Sequence, residues 1–481
     1  MTSTAKKVTI LPGDGIGPEV VAAALRIIDA AGVALDAEMH EAGAQVFAKG
    51  IETGVPRDTI DSIERTRVVL KGPLETPIGY GNKSANVTLR KLFETFANVR
   101  PVRELPGVVT PYSGRNLDIV VVRENVEDLY AGVEYMQTPG TAECLKLITR
   151  TGCEKITRFA FEFAVSEERK RIHCATKSNI MKLTEGLVQH TFEDIAKEYP
   201  HIEAKHILID NCAHQLAMRP EQFDIILTTN MNGDILSDLT SGLTGGLGFA
   251  PSANIGSDIA MFEAVHGSAP DIAGKNLANP TALILSAAMM LRYIGEGKAA
   301  NDVEQAVLVT LEQGIRTGDM RGERKPASTT DFTDAIIANL GCRSATASSR
   351  DYKSLRVPAA KSEVGHATAS SRSVIGVDIF VESLEQPDTL AQTLSSALGG
   401  SRLSLQSIAN RGTTVYPQGD APVGLVDHFR CRFVPGAGDT AEVTDAEIID
   451  TLQRVSTHYR WMHVEKLQRF DGTDAFSKAQ G

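Results

Sequence analysis

The chain has 481 residues, of which 42% are hydrophobic and 23% charged, so it is long enough for two or three domains with substantial cores. Its net charge of −11 and isoelectric point near 5.6 argue against a protein that binds nucleic acid. We find no apolar window that approaches a membrane span, no secretory signal, and six cysteines without a CxxC pair. These features predict a cytoplasmic protein, most simply in a bacterial cytosol, with the mitochondrial matrix as the alternative.

From Lys7 to about residue 340, short apolar runs alternate with longer helical patterns, which predicts an α/β architecture. The predicted strands are residues 8–11, 68–70, 119–122, 172–175 and 225–228. The predicted helices are residues 19–31, 158–168 and 279–295.

Residues 343–373 are rich in Ser, Thr and Ala without periodicity, and we interpret them as a linker. After it, residues 374–382 form a predicted strand and 389–398 a helix. Residues 404–416 and 428–434 follow as strands, and 445–459 as a helix. This β-α-β-β-α order predicts a small α+β, ferredoxin-like domain in residues 374–481.

A glycine-rich segment, Gly13-Asp14-Gly15-Ile16-Gly17, follows the first predicted strand. Its spacing is GxGxG rather than the GxGxxG of dinucleotide-binding turns, and no acidic residue ends a second strand at the expected place. A tight turn from strand to helix is therefore the better interpretation.

Arginines cluster near predicted strands. Ser84, Asn86 and Arg90 lie within two helical turns, Arg100 lies in an NVRPVR segment, and Arg123 directly follows the very apolar run 119–122. Ligands gather at the carboxyl ends of strands in α/β sheets, and Arg binds carboxylates in a bidentate fork. The pattern indicates a small polyanion such as a tricarboxylate or a substituted malate.

Acid–base candidates follow two of these strands. Tyr130 comes one to two turns after Arg123, and Lys177 lies just past the predicted strand 172–175. Taken alone, Tyr130 fits a half-buried packing residue and Lys177 an ordinary surface lysine. A general acid or base role for Lys177 requires a neighbouring charge that lowers its pKa.

Two aspartates, Asp234 and Asp238, follow the predicted strand 225–228 and project from one face if a helix begins near Gly233. Their oxygens suit Mg²⁺ or Mn²⁺. The same positions also fit a carboxylate favoured by the helix dipole and a solvated Asp one turn later.

A long loop of small polar residues, 266–280, ends in Asn279-Pro280 at the next predicted helix. Small residues allow a flat ligand to approach the backbone, and Asp271 can accept hydrogen bonds from ribose hydroxyls. The alternative is a structural Ω-loop.

Together these segments resemble the isocitrate/isopropylmalate dehydrogenase family of β-decarboxylating dehydrogenases. The resemblance is carried by GDGIGPE, KGPLETPIG, SANVTLR, NVRPVR, RENVEDLYAG, TKSNIMK, NMNGDILSD and HGSAPDIAG, in the family's order. It implies a two-domain α/β fold that is not a Rossmann fold. Residues 1–100 and 251–342 would form a large cofactor-binding domain, and residues 101–250 a small dimerisation domain. It also implies a homo-oligomer with shared active sites.

The resemblance assigns roles to individual residues. Those expected to bind the substrate carboxylates are Ser84, Asn86, Arg90, Arg100 and Arg123. Tyr130 would protonate the enolate carbon, and Lys177, given to the neighbouring active site, would help deprotonate the substrate hydroxyl. Asp234 and Asp238, with an Asp210 contributed across the subunit interface, would hold Mg²⁺ or Mn²⁺. The expected cofactor-binding residues are Thr76, Glu263, His266, Gly267, Ser268, Ala269, Asp271, Ile272 and Asn279.

The resemblance further implies oxidative decarboxylation of isocitrate to 2-oxoglutarate and CO₂, as in the tricarboxylic acid cycle. Homoisocitrate dehydrogenase, 3-isopropylmalate dehydrogenase and a non-catalytic regulatory subunit are the alternatives. Ser84 and Asn86 are small and polar, which favours a third substrate carboxylate over an isopropyl group. Each position matched to a catalytic or metal role keeps its residue type, which favours an enzyme.

For the cofactor we expect NAD⁺. NADP-dependent bacterial relatives resemble the 266–280 loop but have a Lys-Tyr pair in place of Asp271 and Ile272, and Asp271 would repel a 2′-phosphate. Gly318 and Gly322 stand where those relatives have a Tyr and an Arg that contact the 2′-phosphate. Arg316, Arg321 and Arg324 are nearby positive charges that oppose this expectation.

Overall fold

A computed structural model of the chain describes residues 5–75, 84–320, 325–347, 368–417 and 424–478. Its strands, in chain order, are β1 (Lys6–Leu11), β2 (Leu35–Met39), β3 (Val68–Lys71), β4 (Ala97–Arg103), β5 (Asp118–Glu124), β6 (Glu134–Thr138), β7 (Thr141–Cys144), β8 (Arg171–Thr176), β9 (Glu203–Leu208), β10 (Ile225–Thr228), β11 (Pro251–Ile255), β12 (Ala260–Ala264), β13 (Arg372–Glu382), β14 (Leu403–Asn410), β15 (Thr413–Tyr416), β16 (His428–Pro435), β17 (Arg460–Phe470) and β18 (Thr473–Asp474).

The helices share the apolar-face pattern expected of elements that pack on sheets. They are α1 (Gly17–Ala30), α2 (Ala44–Ala48), α3 (Arg57–Thr66), α4 (Ala85–Leu92), α5 (Arg150–Ser166), α6 (Thr184–Ala196), α7 (Ile209–Met218), α8 (Asn230–Thr244), α9 (Thr281–Tyr293), α10 (Gly297–Glu312), α11 (Thr329–Ala338), α12 (Pro387–Ala397) and α13 (Asp445–Ser456). Within the described ranges, none of them is long and apolar enough to cross a membrane.

One unit comprises Met1–Ala131 and Leu147–Val364 and contains a ten-stranded sheet in the order β2-β1-β3-β12-β11-β4-β5-β10-β8-β9. Strands at both ends of the sheet pair in parallel, whereas the central pairs β12–β11, β11–β4 and β4–β5 are antiparallel. The parallel strands β3 and β10 are buried along their whole length because helices cover both faces. The mixed α/β architecture expected from the sequence is confirmed.

The central antiparallel strands place polar side chains in one row across the sheet. Asn98 on β4 lies opposite Arg123 on β5 and opposite Asn254 on β11. Glu263 on β12 lies opposite Lys71, the last residue of β3. Side chains two residues apart share a face, so Arg100 projects on the same side as Asn98. The sheet therefore collects charged groups from four strands beside one another.

The second unit comprises Gly132–Lys146 and Gly365–Gly481. Its six-stranded sheet has the order β15-β14-β16-β13-β17-β18, with every pair antiparallel. Helix α12 connects β13 to β14, and α13 connects β16 to β17, which gives the four central strands the ferredoxin-like arrangement. The predicted class of the C-terminal domain is confirmed.

The β6–β7 hairpin belongs to this second unit, although the sequence placed it in residues 101–250. The Glu143 carboxylate lies 3.1 Å from His428 Nε2 and 3.2 Å from His463 Nδ1. Thr141 Oγ1 donates to Asp427 Oδ1 at 3.0 Å. These contacts join residues almost three hundred positions apart, so no local pattern could have predicted them.

Several predicted boundaries need correction. Helix α8 begins at Asn230 rather than near Gly233, and Asp210, for which no element was predicted above, lies in the first turn of α7. The predicted strand 404–416 is two strands, β14 and β15, and β17 was missed. Strand β17 carries one fully buried hydrophobic residue, Leu467, so its hydrophobic signal is weak. Most of the predicted linker, residues 348–367, lies outside the described residues.

Candidate active site

Arg123 is the most deeply buried cation of the site, with 1% of its surface exposed. Its Nε and Nη2 donate to Asn230 Oδ1 at 3.0 and 2.8 Å, and its Nη1 forms an ion pair with Asp234. Burial and the nearby Arg100 and Arg90 lower the pKa of Arg123 to about 9. The placement at the end of a buried strand, expected from the sequence, therefore produces a cation held by the first turn of α8.

Arg100 approaches the same helix from β4. Its Nη1 donates to Ser237 Oγ at 2.6 Å and lies 3.4 Å from Asp234 Oδ1 and 3.8 Å from Asp238 Oδ1. Burial and the charge of Arg90 lower the pKa of Arg100. Two arginines on adjacent strands thus face the helix face that carries both aspartates.

Arg90, on α4, donates from Nη2 to Glu263 Oε1 at 3.1 Å, and Lys71 forms a second ion pair with Glu263. Although burial raises the pKa of Glu263, the charges of Lys71 and Arg90 outweigh burial, and the pKa is lowered. Burial lowers the pKa of Lys71. Glu263 was expected to bind the cofactor; in the structure it is also the anion that holds two cations.

Lys71 was missed by sequence reasoning, although a usable signal was present. It ends the apolar run 68–70 in the same way that Arg123 ends the run 119–122. Its Nζ donates to Asn86 Oδ1 at 2.8 Å, which fixes one of the predicted substrate residues. Ser84 lies at the N-cap position of α4, at the edge of the gap that leaves Thr76 outside the described residues.

Tyr130 lies in the short turn Leu129–Ala131, and its hydroxyl donates to Asp234 Oδ2 at 2.5 Å. The guanidinium of Arg123 lies 5.1 Å from the centre of its ring. Burial and the hydrogen bond to Asp234 raise the pKa of Tyr130, which keeps the phenol protonated. Tyr130 therefore does more than pack, because its hydroxyl and its ring contact the two charged groups Asp234 and Arg123.

Lys177 and Asp210 form an ion pair, with 3.0 Å between Lys177 Nζ and Asp210 Oδ1. The hydrogen bond from Lys177 lowers the pKa of Asp210. Within the described part of the chain, no hydrogen bond or ion pair joins this pair to the arginine cluster. Both residues belong to the group expected to complete a neighbouring subunit's site.

Glu185 was also missed. It lies on α6 with no exposed surface; one carboxylate oxygen accepts the backbone N–H of Lys177 at 2.9 Å, and the other accepts the hydroxyl of Thr229 at 3.2 Å. Thr229 is the N-cap residue of α8. A buried carboxylate so placed fixes the Lys177 segment relative to the helix that carries Asp234 and Asp238.

The 266–280 loop packs against the glycine-rich turn. Ile16 N donates to Ser268 O at 2.8 Å, and a Cβ on Gly15, whose φ is +59°, would lie 2.0 Å from that same oxygen. Glycine is therefore required at position 15 by both backbone conformation and space. The tight-turn interpretation agrees with this geometry, and the turn also supports the loop expected to bind the cofactor.

Other loop residues have structural partners of their own. Asn279 Oδ1 accepts the backbone N–H of Thr281, and its Nδ2 donates to Asp319 Oδ2 at 2.9 Å. Asp271 lies in a short turn, Pro270–Ile272, with its side chain exposed, while Ile272 packs against the main core. Burial lowers the pKa of His266, whose Nδ1 lies 3.0 Å from Gly267 O. Gly267 is exposed, and Ala269 has a φ of +42°.

The donor set around α8 fits a hard divalent cation. Asp234 and Asp238 lie one turn apart on α8. Burial alone would raise the pKa of Asp234, but the charge of Arg123 and the hydrogen bond from Tyr130 outweigh it and lower that pKa. Burial raises the pKa of Asp238. Within the described residues of one chain, no three His, Cys, Asp or Glu side chains converge as a metal site. Two carboxylates leave the remaining coordination positions of such a cation to other oxygen donors, such as water or a bound ligand.

Comparisons with known proteins agree with this geometry. Residues 7–336 match the family model described as isocitrate/isopropylmalate dehydrogenase, and residues 372–481 match the one described as bacterial isocitrate dehydrogenase, C-terminal domain. The chain belongs to the isocitrate/isopropylmalate dehydrogenase family.

Relatives of this family member resemble it over its whole length. A protein of Thermus thermophilus named isocitrate dehydrogenase [NADP] is 60% identical and covers 99% of this chain and 96% of its own. A Rickettsia conorii protein of the same name is 40% identical and covers 98% and 99%. A crystal structure of a Thermus thermophilus protein has a TM-score of 0.96 and 58% identity, covering 100% of this chain and 97% of its own.

These relatives overturn the expectation of NAD⁺. The full-length relatives at 40–60% identity are named as NADP enzymes, so the inference from Asp271 and Ile272 is wrong. The physical reason is visible in the loop. An exposed carboxylate such as Asp271 is solvated and screened, so its repulsion of a phosphate is weak. Ile272, the second residue of that argument, packs against the main core.

Proposed function

We propose that this protein is a metal-dependent isocitrate dehydrogenase that uses NADP⁺. The observation that carries the proposal is the convergence of four cations, Lys71, Arg90, Arg100 and Arg123, with three carboxylates, Glu263, Asp234 and Asp238. This set has one surplus positive charge, and a divalent cation would raise the surplus to three. That value matches the charge of a tricarboxylate. Dicarboxylates such as 3-isopropylmalate would leave one charge unmatched in a poorly solvated site.

The residues of the chain have roles consistent with this chemistry. Arg90, Arg100 and Arg123 would hold the substrate carboxylates through charge-assisted hydrogen bonds, which fixes the reacting carbon relative to the cofactor loop. Tyr130, kept protonated by its raised pKa, can donate a proton to the carbon that loses CO₂. Asp234 and Asp238 would hold Mg²⁺ or Mn²⁺, which supplies Lewis acidity at the substrate hydroxyl, and bound NADP⁺ accepts the hydride.

Lys177 would act as the base toward the substrate hydroxyl in a neighbouring subunit. Its ion pair with Asp210 places the two groups expected to complete the other site beside each other, and the base role would require the positive charge of a bound metal ion to favour the neutral amine. A homo-oligomer with shared sites follows from the proposal. A non-catalytic regulatory subunit is disfavoured, because Tyr130, Lys177 and the three aspartates are all present.

Initial rates of the purified full chain test the proposal. With Mg²⁺ or Mn²⁺, kcat/KM is expected to be highest for isocitrate, lower for homoisocitrate and lowest for 3-isopropylmalate. With saturating isocitrate, NADP⁺ is expected to exceed NAD⁺. A preference for either other acid, or no turnover of isocitrate with either cofactor, would reject the proposal.

The Asp271→Asn variant sharpens the cofactor assignment. Because this carboxylate is exposed, removing its charge is expected to raise kcat/KM for NADP⁺ by only about twofold to threefold. The rate with NAD⁺ is expected to stay within about twofold, which serves as the internal control. A gain of a hundredfold with NADP⁺ would show instead that Asp271 governs cofactor choice.

A further inference from the structure

A continuous chain of hydrogen bonds crosses the sheet beneath the site, from the substrate side to the cofactor side. Arg100 Nε donates to Asn98 Oδ1 at 2.6 Å, Asn98 Nδ2 donates to Asn254 Oδ1 at 2.7 Å, and Asn254 Nδ2 donates to Glu263 Oε1 at 2.7 Å. Asn98 and Asn254 have no exposed surface. Neither was singled out by sequence reasoning, because an isolated Asn in a strand has no characteristic pattern.

The chain has a direction. It begins at a cation, Arg100, and ends at an anion, Glu263, and each Asn accepts from the cation side and donates toward the anion side. Such aligned dipoles polarise one another in a buried environment. Reversing one amide would place two acceptors or two donors face to face.

The side branches hold each amide in this orientation. Asn254 Oδ1 also accepts from Asn125 Nδ2 at 2.9 Å, and Asn98 Nδ2 also donates to Ser252 Oγ at 3.0 Å. Asn98 and Asn254 are direct partners in the β4–β11 register, so the sheet itself fixes their separation. Burying two amides in a sheet between helices is costly unless their hydrogen bonds are satisfied.

We propose that Asn98 and Asn254 are positioning residues that couple the substrate-binding Arg100 to the cofactor-side Glu263, an inference that rests on the proposed function. Bound substrate fixes Arg90, which pairs with Glu263 directly, and Arg100, whose restraint the chain carries to Glu263 and its partner Lys71. Cofactor binding fixes the chain from the opposite end. Whichever ligand binds first therefore orders part of the site of the second ligand.

The Asn98→Asp variant tests transmission toward the cofactor. Its carboxylate still accepts from Arg100 but faces Asn254 Oδ1, so the Asn254 amide must turn and no longer donates to Glu263. The Kd of NADP⁺, measured by calorimetry on the full chain, is expected to rise about fivefold. Within the described residues, the Asn98 side chain hydrogen-bonds to Arg100, Ser252 and Asn254, none of which is among the residues expected to bind the cofactor.

The Asn254→Leu variant tests transmission in the other direction. It removes the acceptor for Asn98 Nδ2, which releases Asn98 and loosens the anchor of Arg100. The Kd of isocitrate with Mg²⁺ is expected to rise about fivefold, with kcat reduced less than KM is raised. If this variant fails to fold, Asn254→Ser, whose side chain is too short to reach Asn98 Nδ2, replaces it with the same expectation for isocitrate.

Asn339 provides the matched control in the same unit. It is a buried amide bonded to Thr310 and Gln313, so Asn339→Asp and Asn339→Leu make the same chemical changes elsewhere. The controls are expected to lower Tm while leaving both Kd values within about twofold. The inference is overturned if Asn98→Asp weakens only the binding of isocitrate and Asn254→Leu only the binding of NADP⁺. It is also overturned if the Asn339 controls weaken the binding of both ligands as much as these variants do. Failure of the wild-type chain to bind isocitrate would instead overturn the proposed function.

Discussion

The two units of the molecule bury charge in different ways. In the C-terminal unit, Arg432 Nε and Nη2 donate to the two carboxylate oxygens of Asp378, each at 2.7 Å, and the residues are direct partners on β16 and β13. In the first unit, Lys71, Arg90, Arg100 and Arg123 gather where cations outnumber carboxylates. Among the described residues, Arg90 Nε is buried without a hydrogen-bond partner.

The difference separates structural charge from functional charge. A bidentate pair such as Arg432–Asp378 satisfies both partners, so it needs no ligand and serves the fold. A cluster of cations with surplus charge and an unpartnered donor is unfavourable until an anion binds. Buried groups with shifted pKa values and like-charged neighbours therefore indicate the binding site.

The largest expected effect comes from removing a charge from the cation cluster of the first unit. Arg123→Gln removes the charge that faces the substrate and Asp234, so kcat/KM for isocitrate is expected to fall by about 10³-fold to 10⁴-fold. Stability should change little, because the Asp234 side chain is 39% exposed and keeps the Arg100 guanidinium and the Tyr130 hydroxyl as partners. Steady-state kinetics and thermal unfolding measure the two quantities. An unchanged kcat/KM would show that Arg123 is structural.

Breaking the Arg432–Asp378 pair should have the opposite result, with a loss of stability and little change in activity. Arg432→Met removes both charge-assisted hydrogen bonds to the buried Asp378 carboxylate and leaves Arg430, whose Nε lies 3.8 Å from Asp378 Oδ2, as its ion-pair partner among the described residues. The loss is expected to destabilise the C-terminal unit by about 1–3 kcal/mol. Below the unfolding transition, kcat is expected to stay within about twofold of the wild-type value. The double variant Arg432→Met/Asp378→Leu is the control and should recover part of the lost stability in denaturant unfolding, because the buried carboxylate is removed while Arg430 loses its ion pair. No recovery would mean that Arg432 contributes through packing rather than through the pair.

A third buried group, His173 on β8, sharpens the comparison because, within the described part of the chain, its ring forms no ion pair. The ring lies 4.8 Å from that of Phe223, and burial lowers the pKa of His173 to about 4. The unfolded chain, with a pKa near 6.5, binds a proton that the folded chain excludes, so stability falls as the pH drops from about 6.5 toward 4. At pH 5 this loss is expected to be about 2 kcal/mol. In His173→Phe, the free energy of unfolding should depend less on pH over that range, and equal pH dependence in both proteins would contradict the assignment.

Much of the site was predictable from sequence because chemistry-bearing residues follow apolar strands. Arg123 after the run 119–122 and Asp234 after the run 225–228 are local signals, and the structure places them in contact. Lys71 carries the same signal after the run 68–70. The failure over cofactor choice has a different origin. One residue, Asp271, was treated as decisive, whereas the effect of a charge depends on its exposure, which sequence alone does not show.

Local sequence determined the five predicted strands of the first unit, the glycine turn at Gly15 and the α+β pattern of the C-terminal domain, because each depends on periodicity or backbone conformation within a few residues. Only the tertiary structure decided which strands are neighbours. The order β12-β11-β4-β5 joins residues from distant parts of the chain. The β4–β11 pairing places Asn98 against Asn254, and the β3–β12 pairing places Lys71 against Glu263. Other long-range contacts place the β6–β7 hairpin with the C-terminal strands. Such contacts depend on the energy of burying whole surfaces together, a property of the assembled sheet that no short segment encodes.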